Sequence, residues 1–323
     1  MKRKQSGLRI MSRLIVLVKP LSGFMCLAVL LGVLGFLCAI QITVAGSLTL
    51  LTAAKISGGI AIKTGCICII IFAVLRGFLH YGEQACNHYI AFKLLALIRD
   101  KVFKAMRRLS PAKLEGKDKG NLVSVITSDI ELLEVFYAHT ISPTCIAILT
   151  CLIMLIFIGR YSIWLSLVAL AAYITVGAVI PLVSSRVNKN VGMTYRDGSG
   201  ALSGFVLDSM RGLLESIRYN STDKRLEEMD KKTDELNSLQ NKLKKIEGHT
   251  GAVTDIAIIF FSVAMLLTGI ALYQKGVIGF DGMIVSTVSM MSSFGPVAAL
   301  SGLAGNLTHT LAAGERVLGI LDE

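Results

Sequence analysis

Six apolar runs punctuate the chain, at about residues 21–46, 58–79, 141–159, 162–183, 251–273 and 282–305. Each is near the roughly 20 residues that an α-helix needs to cross the hydrocarbon core of a bilayer. The connections between runs two and three, and between four and five, are long and polar, yet they do not read as loops. Residues 88–109 contain no Pro or Gly and keep apolar residues at helical spacing: Ile90, Leu94, Leu97, Ile98, Val102 and Phe103. The stretch LEEMDKKTDELNSLQNKLKKIEG does the same among dense charges and is laced with opposite charges four residues apart. The pattern predicts membrane helices that continue beyond the bilayer as helical rods. Twenty extra residues would project such a rod by about 30 Å. The rods reverse at LSPAKLEGKDKGN (109–121) and around SMRGLLESIRYNS (209–221). Ahead of the first run, LRIMSRLIVLVKP has the pattern of a short amphipathic interfacial helix.

The second run does not stay apolar. After CICIIIFAVL the same helix continues as RGFLHYGEQACNHYIAFKLL, which carries Arg76, His80, Glu83, Gln84, Asn87 and His88. With Arg76 at zero and about 100° per residue, Glu83, Asn87 and His80 fall near −20°, 20° and 40°. Gln84, His88 and Tyr81 follow near 80°, 120° and 140°. All the polar groups therefore share one arc of the helix. A charge facing lipid at mid-bilayer costs at least about 2.5 kcal/mol, so such an arc turns inward. Two arrangements fit it: a wall of a polar vestibule, or an internal set in which Arg76, His80 and Glu83 hold one another. The sixth run offers hydroxyls, Ser289 and Ser293 among them, together with Pro296, which can bend the helix. Ser289 and Ser293 are candidate cavity-lining residues beside Arg76, His80, Tyr81, Glu83, Gln84 and Asn87.

Composition supports the reading. The 323 residues are 53% hydrophobic and 17% charged, with a mean hydropathy of +0.66, too apolar for an ordinary soluble domain. The formal net charge is +11, but its distribution matters more. Lys2, Arg3, Lys4, Arg9, Arg13 and Lys19 precede the first run. Arg99, Lys101, Lys104, Arg107 and Arg108 lie between runs two and three, and a long basic series from Arg186 to Lys245 lies between four and five. The other connections hold little beyond Lys55, Lys63, Arg160 and Lys275. This alternation places both termini and the two long connections in the cytoplasm, as in a multi-pass protein of a bacterial inner membrane. The charge thus marks orientation, and nucleic acid is not an expected partner. The seven cysteines lie in or beside apolar segments without CxxC or zinc spacing, so they read as packing residues. No Ser/His/Asp set or metal-ligand cluster stands out.

The whole plan resembles the transmembrane domain of type IV ABC exporters. IRDKVFKAMRRLSPAKLEGKDKGNLVSVITSDIELLEVFY is similar to that family's second helix, first coupling segment and third-helix start. MRGLLESIRYNSTDKRLEEM resembles its second coupling segment, and AAGERVLGILDE the linker before a nucleotide-binding domain. The resemblance implies an all-α membrane protein with an elbow helix at 1–20, a six-helix domain at 21–311 with cytoplasmic extensions and two coupling helices, and a linker from 312 to 323. It also implies partners: nucleotide-binding domains, a second transmembrane half in a homo- or heterodimer, and the lipid bilayer. Pro111, Ala112, Leu114 and Glu115 would couple to the ATPase at the first reversal, and Gly212, Leu213, Glu215 and Arg218 at the second. No GxxxxGK[ST] is present, so the chain alone is not expected to be an enzyme. ATP and magnesium would enter through a partner or an additional domain.

Within that family, RGFLHYGEQACNHYIAFKLLALIRDKVF most resembles the cytochrome bd assembly subfamily, heterodimeric exporters linked to cysteine and glutathione export and to haem. Their polar motif ends in a histidine resembling a haem ligand, which falls on His88; the arginine they place after the glutamate is Gln84 here. The resemblance implies export of small thiols, amino acids or peptides. Two other readings stay open: a non-pumping membrane haem-binding or sensor protein, and a lipid or drug exporter of the same fold.

Overall fold

A computed structural model describes residues 7–17, 19–56, 60–109, 125–301 and 304–322. Every regular element among them is helical. In chain order they are α1 (Gly7–Leu17), α2 (Ser22–Ala53), α3 (Ile62–Leu109), α4 (Ile130–Phe136), α5 (Ser142–Gly159), α6 (Ile163–Ile174), α7 (Ile180–Arg211), α8 (Leu213–Arg218), α9 (Thr222–Gln274), α10 (Phe280–Ser301) and α11 (Ala304–Leu321). Among the described residues, six helical segments are long and apolar enough to cross a membrane: Lys19–Ala53, Ile62–Leu109, Ser142–Gly159, Ile163–Val187, Thr222–Gln274 and Phe280–Leu300. Each contains or overlaps one of the six apolar runs. The first helix extends past residue 46 to Ala53, because LTLLTA keeps good helix formers up to the turn at Lys55, whose φ is +55°.

Wider π-helical turns fall at Val125–Asp129, Tyr137–Ile141 and Thr175–Val179. Two of them run directly into the prolines that open α5 and α7, Pro143 and Pro181. A proline ring crowds the carbonyl one turn earlier and donates no N–H, so the preceding turn widens rather than breaking. Pro296 sits inside α10, and the helix continues through it.

The chain forms two units, Met1–Ala178 with Ala257–Glu323, and Val179–Ile256. The first unit has two apolar cores. One joins Ile10 and Leu14 of α1 to Ile90, Leu94, Ile98 and Val102 of α3, Ile130 and Leu133 of α4, and Val317 and Leu318 of α11. The α3 members recur every four residues, which keeps them on one ridge of the helix. Phe103, one step off that ridge, is exposed. The other core joins Ile40 and Val44 of α2, Met154 and Ile158 of α5, Leu165 and Tyr173 of α6, and Met290 and Phe294 of α10.

The second unit holds α7, α8 and the charged part of α9. Phe205 of α7 lies under Arg225 and Lys232 of α9, 5.5 and 5.4 Å from its ring centre. Arg225 also donates to Ser209 Oγ at 2.8 Å, and the Ser184 and Thr250 hydroxyls meet at 2.8 Å. Charged side chains here pack through their stems and cover the apolar face of a rod.

Candidate functional site

The polar arc of α3 divides in two. Glu83 and Asn87, at its centre, are buried, at 6% and 4% exposure, whereas Arg76, His80, Tyr81 and His88 are exposed and Gln84 is half-buried. The buried centre lies against α2, and two small residues there make room. A Cβ on Gly32 would stand 3.3 Å from the Glu83 carboxyl carbon, and one on Gly35 would stand 3.7 Å from Leu79 Cβ. Backbone on one side and polar side chains on the other enclose a cleft of about 80 Å3 lined by Gly32, Gly35, Phe36, Arg76, His80 and Glu83.

His80 Nδ1 lies 3.2 Å from Glu83 Oε2, and Asn87 donates to Glu83 Oε1 at 3.4 Å. These three groups, at i, i+3 and i+7, hold one another along the helix. No ion pair joins Arg76 to this set among the described residues. The structure thus has a polar cleft beside an internal link that includes His80 and Glu83 but not Arg76. His88 stacks on Phe92 one turn on, with ring centres 6.2 Å apart.

The hydroxyls of α10 lie elsewhere. Ser289 and Ser293 are fully buried in helix packing and do not line the cleft beside α3. Ser293 donates to the Met290 carbonyl and bonds with the Tyr173 hydroxyl of α6. Ser292, between them, meets Thr43 of α2 at 2.7 Å. Small hydroxyl residues let α10 approach its neighbours closely, which sends their side chains into contacts rather than open space.

Of the two reversals, the first, with Pro111, Ala112, Leu114 and Glu115, lies outside the described residues. The second is built as a short helix between breaks. Gly212 ends α7 and starts α8, and Asn220, with φ of +49°, ends the reversal. Only Ser216 of α8 is buried; Leu213, Leu214, Ile217 and Tyr219 are all more than half exposed, with Glu215 and Arg218 among them. The sequence reading found Gly212, Leu213, Glu215 and Arg218 but passed over Leu214 and Tyr219. Their signal was available: large apolar residues repeated beside a glycine break in a charged segment.

Sequence reasoning also missed a clasp at the base of the first unit. Asp129, 1% exposed, pairs with Arg316 of α11, and Arg13 of α1 pairs through both guanidinium nitrogens with Asp322. The buried Tyr137 hydroxyl donates to the Leu14 carbonyl at 2.7 Å. Burial raises the Asp129 carboxyl above its usual range, against the pull of the Arg316 guanidinium, and burial also raises the Tyr137 hydroxyl. Residues 312–322, read from the sequence as the start of a linker, here complete a helix packed on α1 and α4.

Six membrane-crossing helices, helical rods and a short exposed helix at a rod reversal define a polytopic helical membrane protein. The family model described as ABC transporter transmembrane region matches residues 21–297. The chain belongs to that family. It is 42% identical over 320 residues to a probable ABC transporter ATP-binding/permease protein from Haemophilus influenzae, covering 99% of this chain and 58% of that protein. It is 22% identical to the glutathione/L-cysteine transport system ATP-binding/permease protein CydC of the same organism, covering 78% of this chain and 44% of that one. To the corresponding CydD protein of Bacillus subtilis it is 26% identical, over 44% of this chain and 25% of the relative. The chain therefore covers little more than half of the first of these relatives and less than half of the other two.

Proposed function

We propose that this chain is the membrane-spanning half-transporter of an ATP-driven exporter of small thiols, amino acids or peptides. It works with nucleotide-binding domains and a second transmembrane half, most simply as a heterodimer, in a bacterial inner membrane with both termini cytoplasmic. The observation that carries this reading is the likeness to ATP-binding/permease proteins along nearly the whole chain, together with an exposed apolar helix at a rod reversal. The substrate class is supported by the glutathione/L-cysteine transport relatives and by the buried carboxylate in the cleft of α3. Closure of two ATPase domains would push on α8, and rigid rods would carry that push into a switch between inward- and outward-facing states.

A haem would find one fitting donor. His88 presents an exposed imidazole stacked on Phe92, while Gln84 offers no cation for a propionate. Bound there, haem would supply redox or sensing chemistry, and His88 would hold the iron. A readout of the main reading is the ATPase rate of the assembled transporter. Glutathione or L-cysteine is expected to stimulate it; a rate indifferent to every thiol and amino acid offered would overturn the substrate class.

A further inference from the structure

The cleft on α3 has two unlike ends. At one, the Glu83 carboxylate is nine-tenths buried and, among the described residues, is held by His80 and by a long contact from Asn87. The Oδ1 of Asn87 is itself buried without a hydrogen-bond partner. At the other end stands the Arg76 guanidinium, within an apolar run and with no partner among the described residues. Arg76 and Glu83 are seven residues apart, about 10 Å along the axis and nearly in line around it. A lone cation at membrane depth is costly, and so is a carboxylate without a full counter-charge. The shared cleft could satisfy both with one dipolar guest.

We propose that this cleft binds the α-amino-acid head group of the cargo, its ammonium on Glu83 and its carboxylate on Arg76. The assignment rests on the exporter reading above and narrows it to cargo carrying a free zwitterionic head group. Gly32 and Gly35 line the cleft, and the Gly32 backbone lies close enough to Glu83 that a Cβ there would stand 3.3 Å from its carboxyl carbon. The cleft is small, about 80 Å3, on the scale of a polar head group. The remainder of the cargo, a thiol side chain or the rest of glutathione, would extend past Tyr81 and His80 on the exposed flank.

The test is equilibrium binding of radiolabelled L-cysteine to the complete transporter in reducing buffer without ATP. Arg76→Gln and Glu83→Gln are each expected to weaken binding at least about tenfold, the usual scale for losing a charge-assisted contact. On the unaltered protein, cysteamine, which lacks the carboxylate, and 3-mercaptopropionate, which lacks the ammonium, should compete at least about tenfold less well than L-cysteine. This second series decides the matter if Glu83→Gln does not fold. Either analogue competing as well as L-cysteine, or both variants binding normally, would overturn the site. Those results beside a thiol-stimulated ATPase would leave the exporter reading standing. Loss of binding in both variants without any cargo-stimulated ATPase would do the reverse.

Discussion

Removing the Arg316 guanidinium isolates one buried charge. Asp129 has a side chain only 2% exposed, and among the described residues its Oδ2 has no hydrogen-bond partner and Arg316 is its counter-charge. Breaking a buried pair by deleting one partner costs about 3–5 kcal/mol. Exposed pairs contribute about 0–1 kcal/mol. Arg316 is 52% exposed, so the pair lies between these limits, and Arg316→Ala should cost about 2 kcal/mol. In a thermal unfolding scan of the detergent-solubilised protein at pH 7.5, that is a fall in Tm of about 4 °C. The double variant Asp129→Asn/Arg316→Ala should recover most of the loss, since no ionised group is then stranded.

The pH dependence has a definite sign. The folded Asp129 carboxyl lies above its ordinary value of 3.8, burial being the larger cause and Arg316 opposing it. Such a group favours the folded state while protonated. That contribution is complete below about pH 3.8 and is lost as pH rises through the folded value. Deleting Arg316 removes the opposing pull and moves the folded value higher still. The cost of Arg316→Ala should therefore be smaller at pH 5.5 than at pH 7.5. A variant as stable as the parent at pH 7.5, or a penalty that grows on acidification, would refute the reasoning.

Three other perturbations follow from specific contacts. Gly32→Ala would place its Cβ 2.3 Å from Ile146 Cδ1, costing about 1–3 kcal/mol by overpacking, and a second change, Ile146→Ala, should relieve the clash in the same unfolding assay. Leu214→Glu replaces a side chain 78% exposed at the tip of α8, so folding should be unchanged while cargo-stimulated ATP hydrolysis falls about tenfold or more. If haem binds, purified protein reconstituted with it should give a Soret band that His88→Ala abolishes; a band of unchanged height in the variant would remove His88 as the ligand.

The membrane-spanning helices were legible because their signals are long. Apolar runs of about 20 residues survive any local uncertainty. The rods were legible for the same reason, in the four-residue recurrence of Ile90, Leu94, Ile98 and Val102 that now forms the core of α3. The arc at 76–88 was legible as one wall of a polar space, but the helix opposite it was not. Whether Glu83 meets lipid, water or another helix depends on Gly32 and Gly35, some 50 residues earlier, and a helical wheel of α3 does not contain them. Ser289 and Ser293 were misplaced for a related reason, since the hydroxyl that claims Ser293 belongs to Tyr173 on another helix. The clasp of Asp129 with Arg316 joins residues 187 positions apart, and nothing local to either marks the pair.

The central claim is that this chain moves cargo outward as part of an ATP-driven pump. Inverted membrane vesicles carrying the complete transporter, supplied in the external medium with ATP, magnesium and radiolabelled L-cysteine or glutathione, test it most directly. The account predicts accumulation inside the vesicles that requires ATP hydrolysis and is lost when vesicles are prepared without this chain. Equal uptake with and without ATP, or with and without the chain, would contradict it.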